Sequence, residues 1–341
     1  MTSGAAVSET AAMALAIAVS ETARGSTSPN PPVGAVILDA DGVVVGTGAT
    51  RPPGGPHAEV VALVEAGERA RGGTAVVTLE PCNHTGRTGP CSQALIAAGV
   101  RRVVYAVADP NPLAEGGAGT LVEAGVDVSS GLESDAVERG PLRAWLHKQR
   151  TGRPHITLKY AASLDGRSAA QDGTSQWITG PDARAHVHAQ RATLDAIVVG
   201  TGTVVADDPL LTARLPDGTT APHQPVRVVV GRRDIPPEAR IRGDQARTIF
   251  VRSHDPHDVV DALGEYTDVL VEGGPTLAGA FLAAGIVDRI VAYIAPVVLG
   301  AGTSAVENAG VGTISDALRF SIESVVPLGT DVVVSAVKLQ E

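Results

Sequence analysis

Short apolar runs alternate with longer segments of helical character along the first half of the chain. Runs such as VGAVIL and AVVTL are short and rich in β-branched residues, which is typical of buried strands. The segment Asp39-Ala40-Asp41-Gly42 between two such runs predicts a hairpin turn. These patterns predict strands at 33–38, 43–45, 75–79 and 103–107. They predict helices from 11 to near 24–25 and at 57–67, 92–98 and 136–147.

A polar and basic stretch, KQRTGRP at 148–154, interrupts this alternation and contains both glycine and proline. Such a composition is typical of a linker, so the sequence predicts one domain at 1–147 and another at 155–341. The second half predicts strands at 155–160, 196–199, 226–230, 248–251, 269–271 and 290–294 and helices at 182–192, 259–263 and 275–284. Strands separated by helices predict an α/β fold with a largely parallel sheet and helices on its faces.

Composition and charge narrow the class of partner. With 44% hydrophobic and 19% charged residues over 341 positions, the chain is long and apolar enough for two cores. Its formal net charge of -10 disfavours contact with a phosphate backbone, so no nucleic-acid partner is predicted. The apolar run at 11–19 is too short to span a membrane and lacks the layout of a secretory signal. We therefore expect a cytoplasmic protein without a membrane partner, and a homo-oligomer stays open.

The two cysteines of the chain are the first candidates for chemistry. Cys82 and Cys91 follow a predicted strand and lie downstream of His57-Ala58-Glu59. Thiols stay reduced in the cytoplasm, which favours metal binding or catalysis over a disulfide, although lone cysteines are also common as small core residues. One imidazole and two thiolates suit a catalytic zinc with a vacant fourth position, and Glu59 would shuttle the proton of a bound water. Residues two apart do not share a helix face, so this arrangement requires His57 at the very start of its helix.

These residues resemble a known fold. His57-Ala58-Glu59 with Pro81-Cys82 and Cys91 is similar to the zinc-dependent cytidine-deaminase fold, a three-layer α/β/α domain. The loop PCNHTGRTGPC at 81–91 resembles the PC-x-H-x-GRT-x-P-C loop of the riboflavin-pathway deaminases, as does NPPVG at 30–34. The resemblance implies zinc bound by His57, Cys82 and Cys91, with proton transfer by Glu59. His84 is expected to shape the substrate loop.

The second half resembles the reductase domain of the bifunctional riboflavin-pathway enzymes, whose fold is similar to dihydrofolate reductase. The resemblance rests on KYAASLDGR at 159–167, SQWITG at 175–180, GTGTVVADDP at 200–209 and VEGGPTL at 271–277. It implies NADPH as cofactor, with contacts from Ala161, Trp177, Thr203, Asp207, Gly274, Pro275, Thr276, Leu277, Ala278, Gly279 and Ala280. It also implies that a sugar-phosphate substrate contacts Ser175, Arg191, Leu211, Arg214 and Glu272.

The glycine-rich segments of the second half support part of this on physical grounds. Gly273-Gly274 lies between a predicted strand and a helix that opens with Pro275, so free backbone N–H groups and the positive helix end suit a phosphate group. Gly200-Thr201-Gly202 lacks the third glycine of the dinucleotide fingerprint and is also typical of a tight turn.

Several polar residues can be interpreted in two ways. Arg232 and Arg233 would pair with the 2′-phosphate of NADPH or form an ordinary solvated pair. Lys159 and Asp165 are candidates to orient or protonate substrate. The loop residues that would contact the ring or the phosphate, or serve only as turn residues, are Asn30, Arg87 and Asn111.

The sequence therefore predicts a bifunctional enzyme of riboflavin biosynthesis. Its first domain would deaminate 2,5-diamino-6-ribosylamino-4(3H)-pyrimidinone 5′-phosphate. Its second domain would reduce the ribosyl group of 5-amino-6-(5-phosphoribosylamino)uracil to ribityl with NADPH. Both substrates follow from the resemblance alone. One alternative is a nucleobase or tRNA deaminase with an unrelated appended domain, which the acidic charge and the cysteine spacing disfavour. Another is a binding protein with a vestigial site.

Overall fold

The computed structural model describes residues 5–84 and 89–339 and divides into two compact units, Met1–Arg153 (unit 1) and Pro154–Glu341 (unit 2). The segment 148–154, interpreted above as a linker, is helical as far as Thr151. That helix buries Trp145 and ends at Gly152, which takes the left-handed conformation that commonly terminates helices. No helix in the described part of the chain has both the length and the apolar character needed to cross a membrane.

Unit 1 is a mixed sheet covered by helices. Its helices are α1 (Glu9–Glu21), α2 (Ala58–Ala66), α3 (Cys91–Ala97), α4 (Gly117–Glu123), α5 (Ser134–Arg139) and α6 (Arg143–Thr151). Its strands are β1 (Gly34–Leu38), β2 (Val44–Ala49), β3 (Thr74–Leu79), β4 (Arg102–Val107) and β5 (Asp127–Ser130), in the order β2-β1-β3-β4-β5. The predicted hairpin is present: β1 runs antiparallel to β2 and β3, whereas β3, β4 and β5 are parallel. The single helix predicted at 136–147 is two helices, because α5 ends at Gly140.

Unit 2 contains a larger sheet. Its helices are α7 (Pro181–Arg191), α8 (Thr201–Asp207), α9 (Pro256–Ala262) and α10 (Pro275–Ala283). Its strands are β6 (His155–Ser163), β7 (Arg167–Ala169), β8 (Ala196–Gly200), β9 (Val226–Val230), β10 (Thr248–Val251), β11 (Asp268–Val271), β12 (Arg289–Ala295), β13 (Thr303–Ser304), β14 (Phe320–Leu328) and β15 (Asp331–Lys338). The main sheet has the order β10-β9-β8-β11-β6-β12-β15-β14. It is parallel from β10 to β12, as predicted.

The hairpin of β14 and β15 is absent from the sequence predictions. It adds two antiparallel pairings at one edge of the sheet, β12 with β15 and β15 with β14. Pro327 lies within β14, and a proline argues against a central strand because it cannot donate a ladder hydrogen bond. The strand tolerates Pro327 because β14 is the edge strand.

Close packing of α2 on β2 determines where α2 begins. A Cβ atom added at Gly48 would overlap the carbonyl oxygen of Ala58, the first residue of α2. Glycine at this position therefore lets the first turn of the helix lie directly against the strand. Ala58 is itself completely buried. Because His57 and Glu59 flank Ala58, this contact also positions both of them.

Candidate active sites

Three side chains of unit 1 meet around a common point. His57 is the N-cap residue of α2, Cys82 follows β3, and Cys91 is the first residue of α3. The Nδ1 atom of His57 lies 3.5 Å from Sγ of Cys82 and 3.3 Å from Sγ of Cys91. All three ligand atoms lie within 4.8 Å of one another, and both thiols are free and buried. The requirement that His57 stand at the very start of its helix is therefore met.

This donor set fits zinc. Tetrahedral zinc, with bonds of about 2.3 Å to sulfur and about 2.0 Å to nitrogen, places those donors about 3.5 Å apart. The two nitrogen–sulfur separations of 3.5 and 3.3 Å match that spacing. Within residues 5–84 and 89–339, this is the one group of three such ligands.

Glu59 lies beside these ligands in the first turn of α2 and is only 4% exposed. Burial raises the pKa of its carboxyl to about 7, and the nearby Cys82 adds to the shift. Contacts with Cys91 and His57 lower the pKa of Cys82, whereas contact with Cys82 and burial raise the pKa of Cys91. A carboxyl that titrates near neutrality can both accept and donate a proton. The geometry and charge therefore suit a hydrolytic site.

A cavity of about 200 Å³ opens onto His57, Glu59 and Cys82. Of the loop residues named from sequence, Asn30, His84 and Asn111 line this deaminase cavity, and Arg87 lies outside the described residues. The lining residues that sequence reasoning missed include Thr50, Glu80, Asp109, Trp145 and Gln149. Only Glu80 carried a sequence signal, because it belongs to the TLEPC stretch that contains Cys82. The others come from separate segments that only the fold brings together.

In unit 2, the predicted residue Glu272 follows β11 and is the centre of a charged cluster. Its carboxylate accepts hydrogen bonds from Arg191 at 3.0 Å (Nε) and 2.7 Å (Nη2), and from Nζ of Lys159 at 3.1 Å. All three side chains are nearly buried. Burial acts to raise the pKa of Glu272, but the charges of Arg191 and Lys159 outweigh it and bring the pKa to about 2. Glu272 is therefore ionised, and the Arg191 guanidinium is already paired.

The start of α10 forms a cradle of small residues. Gly274 is the N-cap residue and makes no side-chain cap, so the first N–H groups of the helix are left for a ligand. A Cβ atom added at Gly274 would lie 3.3 Å from Oγ1 of Thr203 in α8, and one at Gly273 would overlap the side chain of Leu277. A phosphate group of a dinucleotide fits such a cradle, since backbone donors and a hydroxyl converge there.

The predicted contact run 274–280 does not face one space. Ala278 and Gly279 are buried, and Ala278 belongs to the core of unit 2. A Cβ atom added at Gly279 would overlap the carbonyl oxygen of Glu307. The helix period explains this, because successive residues point in different directions. The first turn of α10 is therefore the part of the run that can present backbone groups to a cofactor.

The remaining predicted contacts are spread over several elements. Ala161 lies in β6, Thr203 and Asp207 lie in α8, and Ser175 is partly buried in the segment before α7. Trp177 is 69% exposed, with the Arg184 guanidinium 4.8 Å from the centre of its ring. Leu211 is buried, and Arg214 is exposed. Burial, followed by the charges of Arg191 and Arg214 among others, lowers the pKa of His188, so both arginines lie near that histidine.

Asp165 does not have the properties of a proton donor. Its carboxylate accepts hydrogen bonds from Oγ of Ser163 at 2.6 Å and from the backbone N–H groups of Leu299 at 3.1 Å and Gly300 at 2.7 Å. The hydrogen bond from Ser163, with those from Leu299 and Gly300, lowers the pKa of Asp165 to about 2. Of the two roles predicted for Asp165, orienting or protonating substrate, these contacts favour the first, and the carboxylate joins the loops that follow β6 and β12.

A second cavity, of about 310 Å³, is lined by residues from the ends of β9 and β10 and by Thr201 at the start of α8. Three arginines, Arg233, Arg242 and Arg252, line this cavity, which we call the arginine-lined cavity. Arg252 pairs with Asp234 at 2.9 Å, and Arg242 lies 4.8 Å from the centre of the Phe250 ring. The carbonyl oxygen of Arg232 accepts a hydrogen bond from Arg252 at 3.1 Å. Of the two neighbouring arginines named from sequence, Arg233 is thus the one that lines this open cavity.

Comparison with known proteins gives a family for each half of the chain. A family model of the cytidine and deoxycytidylate deaminase zinc-binding region matches residues 7–107, and a family model of the RibD C-terminal domain matches residues 154–334. Riboflavin biosynthesis protein RibD of Mycobacterium tuberculosis is 60% identical over 326 residues, which are 96% of each chain. The Escherichia coli protein of the same name is 42% identical over 359 aligned positions, covering 94% of this chain and 96% of that protein.

Solved structures give the same result over the whole chain. Acinetobacter baumannii RibD, form 1, has a TM-score of 0.86 at 38% identity and covers 97% of this chain and 99% of its own. The diaminohydroxyphosphoribosylaminopyrimidine deaminase/5-amino-6-(5-phosphoribosylamino)uracil reductase of Thermotoga maritima has a TM-score of 0.88 at 31% identity with the same coverage. The fold and the sites thus define a two-domain enzyme that joins a zinc-dependent deaminase of the cytidine-deaminase type to a reductase.

The chain belongs to the RibD family of riboflavin biosynthesis proteins. It is a deaminase and a reductase of that pathway, with Zn²⁺ in the first domain and NADPH as the reductant of the second. The sequence predictions of the fold class, the two activities and the two cofactors are confirmed. The fold is α/β, and its first domain is cytidine-deaminase-like.

Proposed function

We propose that the deaminase cavity binds 2,5-diamino-6-ribosylamino-4(3H)-pyrimidinone 5′-phosphate and that unit 2 reduces the ribosyl group of 5-amino-6-(5-phosphoribosylamino)uracil. The observation that carries the deaminase half is the meeting of His57, Cys82 and Cys91 beside the buried carboxyl of Glu59. The similar Thermotoga maritima protein is a deaminase and reductase named for both activities, which supports the choice of substrates.

In this proposal His57, Cys82 and Cys91 hold zinc, and Glu59 transfers the protons. Bound zinc supplies Lewis acidity, which makes a water molecule a nucleophile at neutral pH. Glu59 would take a proton from the attacking water and deliver it to the ring. It would then take the remaining proton of the added hydroxyl group and deliver it to the departing amino group. Water adds to the amino-bearing carbon, the carbon–nitrogen bond breaks, and ammonia leaves. Glu59 is buried beside the ligand residues, so its carboxyl is placed to carry a proton between the water and the substrate.

For the reductase half, we assign cofactor binding to the first turn of α10, with Thr203 beside it, and substrate binding to the cluster around Glu272. NADPH supplies the hydride that converts the ribosyl group to ribityl. The N–H groups after Gly274 would hold a cofactor phosphate. Ala161, Trp177 and Asp207 stay predicted cofactor contacts, and Ser175, Leu211 and Arg214 stay predicted substrate contacts. Arg191 would act by holding Glu272, because its guanidinium is already paired with that carboxylate.

The arginine-lined cavity would receive the adenosine 2′-phosphate end of NADPH. Arg233 is its candidate contact, since Arg252 is paired with Asp234 and Arg242 lies over Phe250. We expect R233S to raise the KM for NADPH about tenfold and to leave the KM for NADH unchanged. An equal rise in the KM for NADPH and for NADH would show that Arg233 does not recognise the 2′-phosphate.

Incubation of the purified zinc-loaded chain with the diaminopyrimidinone phosphate, with and without NADPH, tests the whole proposal. Ammonia should be released in both cases, and nicotinamide absorbance should fall only when the deaminated product is present. Turnover of cytosine, adenosine or tRNA in place of this substrate would favour the alternative of a nucleobase or tRNA deaminase.

We also infer a small-molecule partner, without nucleic acid or membrane, from the net charge of -10, and a cytoplasmic location from the two free thiols, which stay reduced there. Sedimentation of the full chain would measure its oligomeric state and decide whether it forms a homo-oligomer. Binding of the purified chain to tRNA at physiological salt would contradict the first inference.

A further inference from the structure

We propose that Glu80 is a positioning residue for deamination, whose carboxylate holds the loop between β4 and α4 in the shape that lines the deaminase cavity. The inference deepens the proposed function, since it rests on the pyrimidine binding in that cavity.

Glu80 bridges the two ends of this loop. It directly follows β3, is 8% exposed, and its own N–H donates to the carbonyl oxygen of Val107 at 2.8 Å. Its Oε2 accepts a hydrogen bond from the N–H of Asp109 at 3.2 Å, and its Oε1 accepts one from the N–H of Ala118 at 3.0 Å. One carboxylate therefore fastens the first residues of the loop and the beginning of α4 to the strand that precedes Cys82.

The loop carries residues that line the deaminase cavity. Asp109, Asn111 and Ala114 share that cavity with His57 and Glu59. The loop is folded on itself by hydrogen bonds from the N–H of Asn111 to Asp109 Oδ1 at 2.9 Å and from the N–H of Ala114 to the carbonyl oxygen of Asn111 at 2.9 Å. These internal bonds shape the loop, whereas Glu80 sets where its two ends stand relative to the zinc-ligand segment.

Two further contacts bring the loop and the ligand segment together. The N–H of Asn83 donates to the carbonyl oxygen of Ala114 at 3.0 Å. A Cβ atom added at Gly117 would overlap the carbonyl oxygen of Pro81, so the backbones are in direct contact there. A shift of either end of the loop would therefore move the polar groups that face the substrate.

The carboxylate is chemically suited to this task and glutamine is not. The carboxylate of Glu80 has two oxygens, and each accepts a hydrogen bond from a backbone N–H group. A glutamine side chain has one acceptor oxygen and one NH₂ donor. In E80Q one of the two N–H groups would face another donor and lose its partner, which frees one end of the loop without removing side-chain volume.

The test compares E80Q with E65Q in the full zinc-loaded chain. Glu65 also accepts from a backbone N–H, that of Thr47 at 2.8 Å, but it is exposed and does not line the deaminase cavity. Four quantities are measured: KM and kcat for ammonia release, zinc per chain, the reductase rate, and amide hydrogen exchange over 108–118. We expect E80Q to raise the KM about tenfold with little change in kcat, because substrate contacts are misplaced. Zinc content and reductase rate should stay at wild-type values, and exchange over 108–118 should be faster; E65Q should change none of these.

Unchanged exchange over 108–118 and an unchanged KM in E80Q would overturn the proposal. Loss of zinc together with a fall in kcat would also overturn it, since Glu80 would then support the metal site. If E80Q fails to fold, E80D carries the same test, because the shorter side chain keeps the charge but cannot reach both N–H groups. Failure of the wild-type chain to deaminate the pyrimidine would refute the proposed substrate, whereas the exchange comparison would still decide the role of Glu80.

Discussion

Arg191 and Glu272 form a two-point ion pair in unit 2, with distances of 3.0 Å from Nε to Oε2 and 2.7 Å from Nη2 to Oε1. Lys159 shares the same carboxylate at 3.1 Å. A guanidinium used in this way has fewer donors left for a phosphate. We therefore infer that the exposed Arg214 is the better candidate for the substrate phosphate, and that Arg191 and Lys159 keep Glu272 ionised and in place.

Replacing Glu272 by glutamine should separate the two activities. E272Q leaves two cationic groups in a nearly buried site without their anion, which costs about 3–5 kcal/mol of folding free energy. We expect NADPH oxidation to fall at least about a hundredfold and ammonia release from the deaminase substrate to stay at the wild-type rate. Both rates are measured on the same preparation. An equal loss of both activities would mean that the substitution unfolds the whole chain instead of changing only the reductase site.

The acid stability of the chain should depend on Glu272. Its folded pKa of about 2 lies below the ordinary value of 4.5, so its ionisation stabilises the fold at pH values above 4.5. This contribution, on the order of 3 kcal/mol, is lost as the pH falls through 4.5 toward 2. The difference in free energy of unfolding between wild type and E272Q, measured in urea, should shrink over that range. A difference that does not vary with pH would show that the carboxylate is not held ionised by its neighbours.

Replacing Glu59 by glutamine should abolish proton transfer and leave the metal site intact. We expect the deaminase kcat to fall about 10²–10⁴-fold, the range usual for loss of a general acid/base. Zinc per chain, measured by elemental analysis, should be unchanged, because Glu59 is not one of the three ligand residues. Wild-type turnover in E59Q would rule out Glu59 as the proton carrier.

Loss of one thiol should remove zinc and deamination together. In C82S the hydroxyl is a poor substitute for a thiolate, so we expect less than one zinc per chain and a fall in ammonia release of at least about a hundredfold. The reductase rate of C82S serves as the internal control and should be unaffected. Full zinc occupancy in C82S would contradict the assignment of Cys82 as a ligand.

A methyl group at Gly48 should disturb the metal site from a distance. In G48A the added Cβ would meet the carbonyl oxygen of Ala58, so α2 must move away from β2. We expect a loss of about 1–3 kcal/mol of folding free energy and weaker zinc binding, because His57 directly precedes Ala58. Calorimetric unfolding and competition with a zinc chelator measure the two effects. Wild-type zinc affinity in a destabilised G48A would show that the start of α2 does not depend on this contact.

The four residues proposed for the deaminase site and most of the strands could be predicted from the amino-acid sequence. His57, Glu59, Cys82 and Cys91 were identifiable because the chain has only two cysteines, and because catalytic zinc needs a small set of ligand types. The parallel strands of unit 2 were identifiable from short apolar runs, since such runs reflect burial on both faces of a sheet. The hairpin of β14 and β15 could not be identified in this way. A proline such as Pro327 is acceptable only in an edge strand, and which strand lies at the edge depends on the assembled sheet.

The partners of the other polar residues could not be predicted from the sequence and follow from the folded structure. Asp165 hydrogen-bonds to backbone groups of Leu299 and Gly300, and Arg191 is paired with Glu272, in each case across long stretches of chain. Glu80 likewise closes a loop whose ends are Asp109 and Ala118. Local periodicity reports which face of an element is buried, but it does not report which distant donor or acceptor will meet a given side chain. That choice is made when the elements pack and each buried polar group must find a partner.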